Sequence, residues 1–339
     1  MPGSPAFRDT HISLAHGNGG RLMRELIEAI FVPAFANPYL DTSADAVALP
    51  VEPGQELVVT TDGFTVAPLE FPGGNVGSLA VHGTVNDLAV SGAIPRFLTL
   101  NVFLEEGLEI AVLRRVVDAL AAAARQCDVM IVAGDTKVLG RGDCDGIYLA
   151  TTGIGFRPNG TALALSKIRA GDRILVSGPI GEHGAAVMLA REEFGLRGTL
   201  ASDAASVLAQ AQALMTLPGL RFMRDPTRGG LATVAHEIAR ATGMTVRLSE
   251  PRIPVRDAVQ SVCELLGFDP LYLACEGRIV AVVAAEDAES ARSVLHVLAP
   301  EAALVGALRA GKAQVLLETG FGGLRVLDEL EDDPLPRIC

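Results

Sequence analysis

The chain has 339 residues, 49% hydrophobic and only 4% aromatic, enough for a large aliphatic core spread over two domains of ordinary size. A formal charge of -12 with no Lys/Arg run argues against nucleic acid or an anionic membrane surface as partner. No apolar run approaches ~20 residues, and Met1-Pro2-Gly3-Ser4-Pro5 lacks the basic-then-apolar pattern of a secretory signal, so no membrane span and a cytoplasmic location are expected.

In chain order, residues 1–40 form an N-terminal segment in which His16-Gly17-Asn18-Gly19-Gly20-Arg21 precedes a helix-like run. A β-rich run over 56–61 ends in Thr60-Thr61-Asp62-Gly63, and a small-residue helix over about 75–91 follows. Strand 97–104, helix 109–126, strand 129–133 and strand 147–152 complete a first domain, 41–157. Arg157-Pro158-Asn159-Gly160 reads as a boundary turn. The second domain, 158–320, starts with strand 172–178 and continues through helices 203–216 and 229–242, strand 244–248, helix 255–266, strand 278–284, then helix, strand, strand. Runs that mix crossover helices with hairpins predict two α+β layers, each a sheet with helices on one face, followed by a tail over 321–339.

Cys127, Cys144, Cys263, Cys275 and Cys339 form an odd set with no C-x-x-C pair, so neither a disulfide framework nor a zinc knuckle is indicated, and the six histidines form no i, i+4 pair, which gives a histidine metal site little support. Carboxylates carry the stronger signal. Asp45, Asp62, Asp87, Asp135 and Asp225 sit at element edges among Gly, Asn, Ser and Thr, where converging oxygens suit Mg²⁺ held against a nucleotide. Each alone reads more readily as a cap or turn former than as a ligand. Glycine-rich segments ending in Gly19-Gly20, Gly73-Gly74 and Gly229-Gly230 precede helix-like runs, where bare N–H groups can approach phosphate. Gly306 to Ala313 is a decoy: it is one residue from a P-loop but reads as a hairpin between apolar strands, and Ala313 removes the Mg²⁺-binding hydroxyl. Gly153-x-Gly155 is also too short for a dinucleotide fingerprint. Lys137 is close enough to Asp135 to share a phosphate site. Glu276 lies in a turn between apolar strands, where exposure explains an acid as readily as chemistry does.

The chain stops at Pro334-Leu335-Pro336-Arg337-Ile338-Cys339. Two prolines disfavour helix and favour an extended tail, so the thiol has a reach of about 30 Å. Arg337 favours the thiolate while the terminal carboxylate opposes it.

Together these segments resemble the HypE family of hydrogenase maturation proteins, carbamoyl dehydratases in the AIR synthetase/selenophosphate synthetase (PurM-like) ATPase superfamily. The resemblance rests on His16-Gly17-Asn18-Gly19-Gly20, Thr60-Thr61-Asp62-Gly63-Phe64, Gly83-Thr84-Val85-Asn86-Asp87-Leu88, Gly134-Asp135-Thr136-Lys137-Val138, Asp225-Pro226-Thr227-Arg228-Gly229-Gly230 and Pro336-Arg337-Ile338-Cys339. One departure is Cys275, where the family has Asn before Glu-Gly. The resemblance implies a PurM-like fold: a ferredoxin-like N-terminal ATP-binding sheet domain, a C-terminal α+β domain, a flexible tail, and a homodimer whose N-terminal sheets join. It implies ATP and Mg²⁺ as cofactors, with Asp45, Asp62, Asp87 and Asp225 on the metal and Asp135, Gly19 and Gly20 on the nucleotide. It further implies dehydration of a thiocarboxamide on Cys339 to an S-cyanide, with Glu276 as base and Lys137 stabilising the oxygen side. The partners implied are the carbamoyltransferase HypF and an iron carrier, HypC–HypD. The rivals are a selenophosphate or AIR synthetase acting on a free substrate, which leaves the terminal cysteine unexplained, and a nucleotide-dependent docking protein whose thiol does no chemistry.

Overall fold

The computed structural model describes residues 7–191, 200–331, 335 and 337–339. Met1 to Pro5, and the tail prolines Pro334 and Pro336 expected to stiffen the end, lie outside the described residues.

Helical turns α1 (Arg21–Leu26) and α2 (Val32–Phe35) flank a π-helical turn and open the chain. Then follow β1 (Gln55–Phe64), the short pair β2 (Glu70–Phe71) and β3 (Gly74–Asn75), α3 (Val76–Val90), β4 (Ile94–Glu105), α4 (Ile110–Gln126), β5 (Met130–Leu139) and β6 (Ile147–Pro158). Among the described residues the long strands of this half form a four-stranded sheet in the order β1-β6-β4-β5, antiparallel except for the β4–β5 crossover through α4. Asn75 starts α3 by accepting from Gly77 N at 2.9 Å and Ser78 N at 3.1 Å, which satisfies two of the helix's orphan donors. α3 is apolar on nearly every side because the sheet, α4 and the second domain all pack on it. At Gly77 a Cβ would lie 2.2 Å from the Val116 carbonyl oxygen of α4, so only glycine lets the two helices pack this closely.

The second half contributes β7 (Arg173–Val176), α5 (Glu182–Ala190), α6 (Leu208–Met215), β8 (Leu220–Arg224), α7 (Gly230–Thr242), β9 (Thr245–Ser249), α8 (Asp257–Leu266), β10 (Val280–Val283), α9 (Ala288–Leu298), β11 (Ala303–Arg309), β12 (Gln314–Glu318) and β13 (Leu324–Leu327). Its strands form a sheet in the order β13-β12-β9-β11-β7-β10-β8. Two features of this sheet differ from the expected pattern. Helices cover both faces of this sheet, not one: Ile174, Val176, Val280 and Val282 pack with Leu231 and Ile238 of α7, while Leu175, Ala281 and Val283 pack with Leu214 of α6 and Leu295 of α9. The cause is that β7 and β10 are apolar at successive positions, the pattern of strands buried on both sides. Nor do β11 and β12 form a hairpin, because β9 lies between them, antiparallel to one and parallel to the other. Thr245 of β9 donates to the Lys312 carbonyl at 2.8 Å and ties down the connection that crosses its end. The segment is strand-loop-strand, so the P-loop reading stays excluded. Among the described residues no helix is long and apolar enough to cross a membrane.

Candidate active site

Asp62 lies near the end of β1, paired with Thr151, with its side chain on the helix-covered side of the sheet. Asp87 lies in the last turn of α3, and Thr60 Oγ1, two residues before Asp62, donates to Asp87 Oδ2 at 2.8 Å. From the other domain, Asp225 follows β8 directly and Glu276 follows Cys275 in the turn before β10, both buried. Four sequence-predicted acids thus converge where the domains meet.

Their ionisation records the crowding. Burial raises Asp62 from its ordinary value, against the hydrogen bond from Gly63 N; Asp87 adds to the rise and Arg228 opposes it. Burial likewise raises Asp87, against the Thr60 hydrogen bond and Arg224. Asp225 is pushed up to about 7, by burial first and then by Asp87, with Arg224 opposing and Asp62 adding a smaller push. Glu276 is raised well above its ordinary value by burial, then by Asp225, Asp203, Asp62 and Asp87, all of which favour its neutral form. Its solvent-exposed reading is overturned: the residue is 2% exposed, and Oε1 has no hydrogen-bond partner among the described residues.

As the side chains stand, no three His, Cys, Asp or Glu among the described residues close on a common point tightly enough to hold a cation. The donor set nonetheless fits a hard one. Oxygen-only ligands that destabilise each other's charge, beside a carboxyl oxygen with nothing to accept from, are relieved by a divalent ion and its waters.

The chain terminus docks beside this cluster. Thr65 N, three residues beyond Asp62, donates to the Cys339 carbonyl at 3.2 Å, and Ala67 N to the Arg337 carbonyl at 3.2 Å. Leu335 and Ile338 are buried in an apolar core shared by the two domains, and Cys339 packs against it half-buried. Arg337 takes φ 58, the left-handed region, which turns the chain before its last two residues. Arg191 Nη2 donates to the Arg337 carbonyl at 2.8 Å. His183, pulled down to about 4 by burial, is neutral. Its Nε2 donates to the Ile338 carbonyl at 2.8 Å, which leaves Nδ1 to accept from Ser202 Oγ at 2.7 Å.

The other predicted residues stand elsewhere. Asp45 and Asp135 line a separate cavity of about 200 Å³ with Phe31, Phe35 and Leu100. Asp135 pairs with Lys137 at 2.8 Å, and both side chains are about half exposed on the outer face of the sheet, opposite to Asp62. Across the sheet, Asp62 and Gly134 are three strand spacings apart, about 14 Å. Gly19, with φ 74, and Gly20 lie exposed in the turn before α1. Cys275 is fully buried, and its Sγ accepts from Gly181 N at 3.1 Å. Residue patterns did not reveal Asn86, Asp203 and His183, which support the site through backbone groups; only the position of Asn86 next to Asp87 hinted at one of them.

Profiles of the AIR synthase related protein match the chain in two parts, the N-terminal domain over residues 43–156 and the C-terminal domain over 169–317, which sets its class. Carbamoyl dehydratase HypE of Bradyrhizobium diazoefficiens is 45% identical over 98% of this chain and 97% of its own. A crystal structure of hydrogenase maturation protein HypE in complex with ATP superposes with a TM-score of 0.91 at 42% identity, covering 96% of this chain and 99% of that one. A HypE–HypF complex structure matches with a TM-score of 0.78 at 40% identity, over 92% of this chain and 100% of that one. The chain belongs to the carbamoyl dehydratase HypE family.

Proposed function

We propose that this chain dehydrates a carbamoyl group, carried as a thiocarboxamide on Cys339, to an S-cyanide at the expense of ATP, supplying CN ligands for the iron of a [NiFe]-hydrogenase. The observation that carries the reading is the docked terminus: its last carbonyl is bonded to Thr65, three residues of chain from Asp62 and the acid cluster. The relatives' association with ATP and HypF supports it.

The thiocarboxamide oxygen is a poor leaving group, and transfer of the γ-phosphoryl group to it makes phosphate the leaving group instead. Loss of the remaining N–H protons as phosphate departs leaves S–C≡N, with the oxygen of the lost water carried off in phosphate. Asp62, Asp87 and Asp225 would hold Mg²⁺, which when bound supplies charge neutralisation at the phosphates. Glu276, buried and without a partner on Oε1, is our candidate to take the nitrogen proton once its neighbours' charge is compensated. Asp45, Asp135 and Lys137 are proposed to reach the nucleotide through a second copy whose outer sheet face meets this one. HypF would load Cys339, and HypC–HypD would receive the cyanide.

Intact mass after incubation with carbamoyl phosphate, HypF and Mg-ATP tests the reading. The expected result is a carbamoyl increment on Cys339 that loses one water only when ATP is present, and no increment on Cys339→Ser. A Cys339→Ser protein that still supports hydrogenase maturation would reduce the tail to a docking device and overturn the proposal.

A further inference from the structure

Glu276 belongs to one domain and Asp87 to the other, so the distance between proton acceptor and phosphate site depends on what fixes the two domains at that point. The structure assigns this to Asn86, with Asp203, as positioning residues that clamp the Glu276 turn onto the C-terminal end of α3.

Asn86 is 1% exposed and precedes Asp87. Its Nδ2 donates to the Glu276 carbonyl at 3.0 Å and to the Ala205 carbonyl at 3.0 Å, while its Oδ1 accepts from Val207 N at 2.9 Å. Both amide protons and the amide oxygen are therefore used, all on the other domain. From the opposite side the wholly buried Asp203 side chain accepts from Glu276 N at 3.2 Å and Gly277 N at 3.3 Å, and Arg278 stands 3.5 Å from it. A Cβ at Gly277 would lie 1.9 Å from the Asp203 carbonyl oxygen, so the turn and the 203–207 strap meet backbone to backbone. The main chain of Glu276 is held by its N–H and its C=O, while Oε1 of its side chain has no hydrogen-bond partner among the described residues. A carboxyl that must meet a nitrogen proton needs that kind of anchoring, since a displacement of about 1 Å costs on the order of a hundredfold in rate.

The inference rests on Glu276 acting as proposed, and two readouts separate the claims. Hydrogen exchange on the full-length protein reads the clamp without any turnover. In the wild type the 275–279 and 203–207 segments should exchange slowly, and Asn86→Ala should speed both by about tenfold or more while α4 stays unchanged. Single-turnover conversion of carbamoylated Cys339 reads the positioning. Asn86→Ala should slow it by about tenfold to a hundredfold with Mg-ATP affinity within about threefold of wild type. Asn86→Asp, although isosteric, should be slower than Asn86→Ala, because a carboxylate would face two carbonyl oxygens; a space-filling role predicts the opposite order. Asp203→Asn, which replaces one of the two acceptor oxygens by an NH2 group, should release one of the Glu276 and Gly277 amides and leave the Asn86 bonds in place, and serves if an Asn86 variant does not fold. Unchanged exchange, unchanged conversion, or Asp outperforming Ala each overturns the assignment. If the wild type forms no cyano adduct, the proposed function fails while the exchange arm still judges the clamp.

Discussion

At the scale of single residues, the acid cluster makes the ligand-free protein sensitive to pH in a direction opposite to that of a salt-bridged carboxylate. Asp225 is pushed up to about 7 from an ordinary value of 3.8. Between those values the folded chain holds a proton that the unfolded chain has lost, so the penalty is absent below the lower value, grows as pH rises, and is complete above the upper one. Asp225→Asn removes it. Thermal scans without nucleotide should show the variant stabilised at pH 8, by a few kcal/mol at most, and not at pH 4; Mg-ATP binding should weaken. An equal gain at both pH values would mean that packing, not ionisation, is responsible.

Among the elements, α3 carries the most consequence, since it presents Asp87 and Asn86 from its last turns and depends on its first. Asn75→Ala should lose about 1 kcal/mol by leaving the Gly77 and Ser78 amides uncapped. Gly77→Ala should lose about 1–3 kcal/mol, because the added methyl meets the Val116 carbonyl at 2.2 Å and forces α3 from α4. Urea unfolding measures both, and a Gly77→Ala protein as stable as wild type would refute the close-contact argument. α4 was readable from its periodicity, with Leu113, Val116, Val117 and Leu120 on one buried stripe. α5 was not, because Glu182 to Met188 are buried all round and no polar face marks a period.

For the whole molecule, the outer face of the first sheet matters most. Leu57, Val59 and Ile94 are exposed there at 55%, 57% and 39%, on the same sheet that carries Asp135 and Lys137. An apolar patch of this kind on a charged chain suits the joining of two copies, and β1 is an unpaired edge. Val59→Glu should convert a dimer to a monomer by light scattering and abolish conversion of the Cys339 adduct while leaving the fold intact by circular dichroism. A wild-type protein that is already monomeric at micromolar concentration would remove the proposed route by which Lys137 reaches the nucleotide.

The residues alone pointed alike to Asp45, Asp62, Asp87, Asp135 and Asp225, because acids flanked by Gly, Thr and Asn at element ends make a local pattern, and only the fold separates Asp45 and Asp135 from the other three. They also showed the alternation of helix and strand, and singled out Cys339 by its position. Other features depend on separations of many residues through space. Burial of Glu276, the Asn86 clamp across 190 positions, β9 inserted between β11 and β12, and the docking of Ile338 on His183 are of this kind. Local propensity is blind to them, since the groups involved are backbone amides and carbonyls that every residue carries, and only packing decides which of them meet.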